Sequence, residues 1–125
     1  MNVNILYIED NYLNFRLVQK MLMREHKVFG AITGEEGIKV VEELMPDLIL
    51  LDINLPDLDG FKVQEKLRED GRFNHIPIIA LTANSMFGDR EQILEAGFED
   101  YLAKPITRIE LKHCITNHLP VPGLV

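Results

Sequence analysis

Apolar positions change their rhythm along the chain in a regular way. Residues 3–8 are β-rich, with Val3, Ile5, Leu6, Tyr7 and Ile8, and run into two acids, Glu9 and Asp10. Over 12–24 the spacing becomes helical, with Leu17, Val18, Met21 and Leu22 forming a stripe that predicts a core-facing side. Residues 27–31 return to a short strand pattern. Thr33 with Glu36 three places later is a capping-box pattern, and Ile38, Val41 and Leu44 continue a helix that Pro46 should close. The run Leu48, Ile49, Leu50, Leu51 is unbroken and bounded by Asp47 and Asp52, as expected of a strand buried on both faces.

The second half repeats the alternation. A loop over 54–60 precedes a helix reaching about Glu69, with Phe61, Val63 and Leu67 as its apolar contacts. Residues 77–81 predict another buried strand, 89–96 a helix stopped by Gly97, 101–103 a fifth short strand, and 106–118 a last helix. Five strands alternating with five helices predict an α/β fold, a parallel sheet covered by helices on both faces. In such open sheets sites form beyond the carboxyl ends of the strands. Glu9 and Asp10, Asp52, Thr82, and Lys104 with Pro105 all stand at those ends.

These side chains suggest their own chemistry. Three carboxylates converging on one crevice raise one another's pKa unless a cation sits among them, and Mg²⁺ favours a few carboxylates plus water. Lys104 adds a point charge for an anion and Thr82 a hydroxyl donor. That set suits a phosphoryl group, and a carboxylate can itself be the nucleophile, giving an acyl phosphate. Asp52, ending the central apolar strand, is the best placed.

Composition narrows the classes. The 125 residues suit one domain, and 13 Lys plus Arg against 20 Asp plus Glu give a net charge of −7. An acidic surface without a Lys/Arg run disfavours nucleic acid. One cysteine, Cys114, excludes an internal disulfide framework and a multi-Cys zinc site, and it reads as a small buried hydrophobe. Two-His metal sites on a helix use i and i+4, whereas His113 and His118 are five apart. With His26 and His75 they read as surface or satisfied residues. Residues 1–4 lack a signal-peptide pattern and the longest apolar run falls short of a membrane span, so the expectation is a cytoplasmic protein without membrane contact.

In order along the chain stand Ile8-Glu9-Asp10-Asn11, then Pro46 to Pro56 around Asp52, then Asp59-Gly60. Ile78-Ile79-Ala80-Leu81-Thr82-Ala83, Ala96-Gly97 and Tyr101-Leu102-Ala103-Lys104-Pro105 follow. Together these motifs resemble the response-regulator receiver domain, of the chemotaxis-regulator and stand-alone type, over residues 3 to about 119. The resemblance implies a flavodoxin-like, doubly wound five-stranded parallel sheet in the order 2-1-3-4-5. It implies a receiver over 1–119 with a tail at 120–125. Asp52 would accept a phosphoryl group from a histidine kinase or phosphotransfer protein. Asp10 would bind Mg²⁺ directly, Glu9 mainly through a metal-bound water, and Asn54 through its backbone carbonyl. Thr82 and Lys104 would contact the phosphoryl oxygens, Tyr101 would reorient with Thr82, and the Lys104-Pro105 peptide would be cis. Glu9 in place of a second Asp resembles a frequent family variant. Asn54 and Asn84 would flank the site and influence phosphoryl loss.

Such a protein is not a separate enzyme. It assists its own phosphorylation and dephosphorylation and passes the signal to a downstream protein target. Two other readings stand beside it. One is a receiver-fold binding module that is never phosphorylated. The other is an aspartate-nucleophile phosphatase of the haloacid dehalogenase type. That family needs an Asp two residues after the nucleophile, where this chain has Asn54, and a nucleophile on the first strand.

Overall fold

A computed structural model describes residues 3–83 and 89–119. Five parallel strands, β1 (Asn4–Ile8), β2 (Lys27–Ala31), β3 (Leu48–Asp52), β4 (Ile78–Thr82) and β5 (Asp100–Ala103), lie in the order β2-β1-β3-β4-β5. The helices α1 (Tyr12–Leu22), α2 (Gly34–Leu44), α3 (Gly60–Glu69), α4 (Asp89–Glu95) and α5 (Arg108–His118) connect or follow them. This is the flavodoxin-like doubly wound topology. The order reverses at β1, whose neighbours are β2 on one side and β3 on the other. That reversal opens a crevice beyond the carboxyl ends of β1 and β3.

The period of two sorts each strand onto two cores. Leu6 and Ile8 of β1 and Ile49 and Leu51 of β3 pack with Val41 of α2, Val63 and Leu67 of α3, and Ile93 of α4. Ile5 and Tyr7, with Leu48 and Leu50, pack on the opposite face with Val18 and Leu22 of α1 and Leu111, Cys114 and Ile115 of α5. β3 is buried at all five positions, as its unbroken apolar run requires.

Local sequence accounts for most boundaries. Asn11, Thr33, Asp59 and Thr107 cap α1, α2, α3 and α5, each accepting from a backbone N–H three residues on. Thr33 Oγ1 accepts from Glu36 N at 3.1 Å, the expected half of the capping box. A longer-range contact adds to it: Asp57 accepts from Gly34 N at 2.8 Å and from Glu35 N at 3.0 Å, tying the β3–α3 loop to the start of α2.

Some expectations need correction. The stripe on α1 is only half core: Val18 and Leu22 are buried, but Leu17 is 54% exposed. A two-sided sheet gives each helix a narrow contact, and Leu17 lies at its margin. Helix α1 also stops at Leu22, two residues before the expected end. α2 ends at Leu44, and Met45 caps it in the left-handed region (φ 49°), its N–H donating to Val41 O, just before Pro46. α4 ends at Glu95, and Gly97 at φ 108° makes the turn that follows. A short 3₁₀ turn at Gly71–Phe73, absent from the sequence reading, places Phe73 in the core. Asn84 and the tail at 120–125 lie outside the described residues.

Candidate functional site

Register brings the first two carboxyl groups together. Tyr7 pairs with Leu50 across β1 and β3. Glu9 stands two residues beyond Tyr7 and Asp52 two beyond Leu50, so both point to the same face at adjacent strand ends. One oxygen from each of Glu9, Asp10 and Asp52 lies within 4.8 Å of the others. Glu9 and Asp52 are buried, at 2% and 4% exposure, while Asp10 faces solvent.

Lys104 reaches in from the end of β5, two strands away. Its Nζ donates to Glu9 Oε1 at 3.0 Å and to Asp52 Oδ2 at 3.2 Å. The segment carrying it is held by Lys104 N–H donating to Thr82 O at 2.8 Å, and the Lys104–Pro105 peptide is cis. The other Asp52 oxygen, Oδ1, accepts from Asn54 N at 3.0 Å. Asp52 is therefore gripped at both oxygens, by a loop amide and an ammonium.

Glu9 is held more tightly than its sequence position suggested. Oε1 accepts from Tyr7 Oη at 2.9 Å, Asn14 Nδ2 at 3.2 Å and Lys104 Nζ, and Oε2 accepts from Asn11 N at 3.3 Å. Tyr7 and Asn14 were missed in the sequence. The alternation that puts Tyr7 on the face of Glu9 was readable, but Tyr7 looked like one more core residue. Asn14 needed the helix direction.

The electrostatics follow. Burial raises the Glu9 carboxyl, but hydrogen bonds with Asp52, Lys104 and Tyr7 outweigh it and hold Glu9 below the usual range. Burial pushes Asp52 up, aided by the neighbouring Glu9 and offset in part by the Asn54 amide. Burial alone would lower Lys104, yet the two carboxylates hold it above its ordinary value. Burial, with Glu9 next to it, likewise raises the Tyr7 phenol, keeping it a donor. Three acids and one lysine leave this crevice with a formal charge of −2. An all-oxygen, partly open donor set with that excess fits a hard divalent cation such as Mg²⁺.

The remaining candidates frame the crevice. Thr82 is buried at the carboxyl end of β4, next to the strand of Asp52. Tyr101 is half-buried on β5, pairs in register with Ala80, and has the Arg90 guanidinium 5.8 Å from its ring centre. Gly60 stands where a Cβ would come within 2.7 Å of Ile53 Cα and 2.9 Å of Asp52 O, and its N–H donates to Ile53 O at 2.7 Å. That close approach holds the loop after Asp52.

A doubly wound sheet with an acid cluster and a lysine at its switch point is the architecture of a receiver. The family model of the response regulator receiver domain matches residues 5–116, and the chain belongs to that family. Receivers of this family serve as phosphoacceptors in two-component signalling. Among its relatives, the polar-differentiation response regulator DivK of Brucella ovis is 38% identical over 120 residues, covering 95% of this chain and 98% of its own. The receiver domain of a sensor histidine kinase of Pseudomonas aeruginosa, solved with a magnesium ion coordinated in its active-site cleft, superposes with a TM-score of 0.85. It is 38% identical and covers 94% of this chain and 97% of its own. The BeF3-activated receiver domain of Klebsiella pneumoniae RstA superposes with a TM-score of 0.85 at 29% identity, covering 94% and 99%. No helix among the described residues is long and apolar enough to cross a membrane.

Proposed function

We propose that residues 1–119 form a Mg²⁺-dependent receiver that takes a phosphoryl group on Asp52 from a partner's phosphohistidine. The partner is a histidine kinase or phosphotransfer protein of a cytoplasmic signalling pathway. The observation that carries this reading is the two-sided grip on the Asp52 carboxylate by Asn54 N–H and Lys104 Nζ beside Glu9 and Asp10. A nucleophile needs that orientation.

Asp10, Asp52 and the Asn54 carbonyl would hold Mg²⁺, with Glu9 acting through water. When bound, Mg²⁺ supplies positive charge that offsets the acids and stabilises the phosphoryl oxygens. An Asp52 oxygen attacks phosphorus in line as the bond from phosphorus to the donor imidazole nitrogen breaks. The donor's other ring nitrogen carries a proton, so the imidazole leaves neutral as it takes up the electron pair of the broken bond, and an acyl phosphate forms. Lys104 transfers its hydrogen bonds from the carboxylates to the new phosphoryl oxygens, and the Thr82 hydroxyl donates to another. The Thr82 contact biases a two-state surface that includes Tyr101, and the altered surface changes affinity for a downstream protein.

The test is intact mass after incubation with Mg²⁺ and a small phosphodonor. One added phosphoryl group is expected, lost in Asp52→Asn and in the presence of a chelator. A gain that persists in Asp52→Asn would remove Asp52 as acceptor. No gain with any donor, in folded protein, would favour a binding module that is never phosphorylated.

A further inference from the structure

At the other end of β5 a second cluster of donor atoms stands apart from the crevice. Asp100 opens β5, and Cys114 and His118 lie one turn apart on α5. Cys114 Sγ is 3.6 Å and His118 Nε2 is 3.0 Å from the same oxygen, Asp100 Oδ2. All three donor atoms lie within 4.8 Å of one another. Asp100 Oδ1 is already occupied by Tyr101 N–H at 2.8 Å, which orients the carboxylate so that Oδ2 faces the helix. Lys104 stands four residues beyond Asp100, roughly 13 Å along the sheet.

We infer that Asp100, Cys114 and His118 form a second cation site, specific for a borderline-soft divalent ion such as Zn²⁺. Three observations support it. First, ligand atoms of a tetrahedral zinc with bonds of about 2.0–2.3 Å stand roughly 3.3–3.8 Å apart, and Asp100 Oδ2 lies 3.6 Å from Cys114 Sγ and 3.0 Å from His118 Nε2, with all three atoms within 4.8 Å of one another. Second, the donors are one sulfur, one nitrogen and one oxygen, a set that favours Zn²⁺ over Mg²⁺, the reverse of the all-oxygen crevice. A thiolate and a carboxylate together balance the ion's two charges. Third, there is a path in. His118 also lines an open cleft of about 500 Å³ whose walls include Asp47, His75 and Glu99.

Binding balances simply. The Cys114 thiol gives up its proton to solvent, and a neutral His118 binds through Nε2 with its proton on Nδ1. Without an ion, burial, with the Asp100 carboxylate beside it, pushes the thiol up to about 12, so the proton is displaced by the metal rather than lost beforehand. The bound ion would staple the last turn of α5 to the start of β5 and raise the thermal midpoint. No pair of histidines at i and i+4 marks the site in the sequence. The pair at i and i+4 is Cys114 with His118, and the third donor comes from another element.

The full chain, with excess Mg²⁺ present to fill the acidic crevice, is titrated with Co²⁺ as an optical stand-in for Zn²⁺. One equivalent should bind with a thiolate-to-cobalt charge-transfer band and the intense visible bands of a tetrahedral ion, and Zn²⁺ should abolish both. Cys114→Ser should remove the charge-transfer band. His118→Asn should weaken Co²⁺ binding by at least about 10-fold. Asp52→Asn should leave the band intact. Binding without a thiolate band, a band of undiminished affinity in His118→Asn, or no binding at millimolar Co²⁺ would each overturn the assignment.

Discussion

The buried phenol of Tyr7 donates its proton to Glu9 Oε1 at 2.9 Å, two residues along the same face of β1. A residue that reads as core from sequence thus positions an acid of the candidate crevice. Tyr7→Phe keeps the packing against Leu50 and Val18 but leaves Glu9 Oε1 with one donor fewer. The expected loss is about 1–2 kcal/mol of stability in metal-free protein, measured by urea denaturation. An unchanged midpoint would mean that Asn14 and Lys104 already satisfy that oxygen.

Asp52 stores a conformational cost that pH reveals. Its carboxyl is pushed up to about 6 in the fold, from an ordinary value of 3.8. The native state therefore holds a proton that the unfolded chain releases between those values. The Asp52 carboxyl's own contribution to stability is greatest below about pH 4 and falls as pH rises to about 6. Asp52→Asn in a chelator should gain about 3 kcal/mol over the wild type above pH 6, with the gain vanishing near pH 4. Denaturation curves across that range test it. Mg²⁺ should close the gap at neutral pH by stabilising only the wild type.

Among the described residues, Lys104 is the only cation paired with both buried acids. Lys104→Ala leaves Glu9 and Asp52 facing one another without it. Stability in chelator should fall by about 2–4 kcal/mol at pH 7, and millimolar Mg²⁺ should restore part of the loss. Thermal melts with and without Mg²⁺ separate the two effects. A loss that Mg²⁺ does not touch would place the role of Lys104 in packing.

Gly60 has no room for a side chain, because the atoms a Cβ would meet are the backbone of Asp52 and Ile53. Gly60→Ala must displace the loop that carries Asn54. It should cost about 1–3 kcal/mol and weaken Mg²⁺ binding, read by denaturation and by calorimetric titration. Gly71→Ala is the control: the nearest atom to its Cβ would be 4.0 Å away, and both readouts should stay close to wild type.

Much of this protein is legible along the chain because the determinants are local. The unbroken run from Leu48 to Leu51 can only be a strand covered on both sides, and Thr33 and Asp59 announce the helices that follow them. The acids, threonine and lysine at the strand ends were visible too, since alternation of strand and helix already says which end of a parallel sheet collects them. The partly exposed Leu17 was not, because the width of a helix's contact depends on how its neighbours close around it.

What only tertiary structure decided is which atoms meet. Sequence placed Glu9, Asp52 and Lys104 at strand ends. Register put the two acids side by side, and the position of β5 two strands over gave both to one ammonium. The same holds for Asp100 with Cys114 and His118, which share no sequence motif and meet because α5 packs back along β5. Periodicity is a property of neighbours in the chain, whereas charge pairing and coordination depend on distances across it, and those exist only once the sheet has closed.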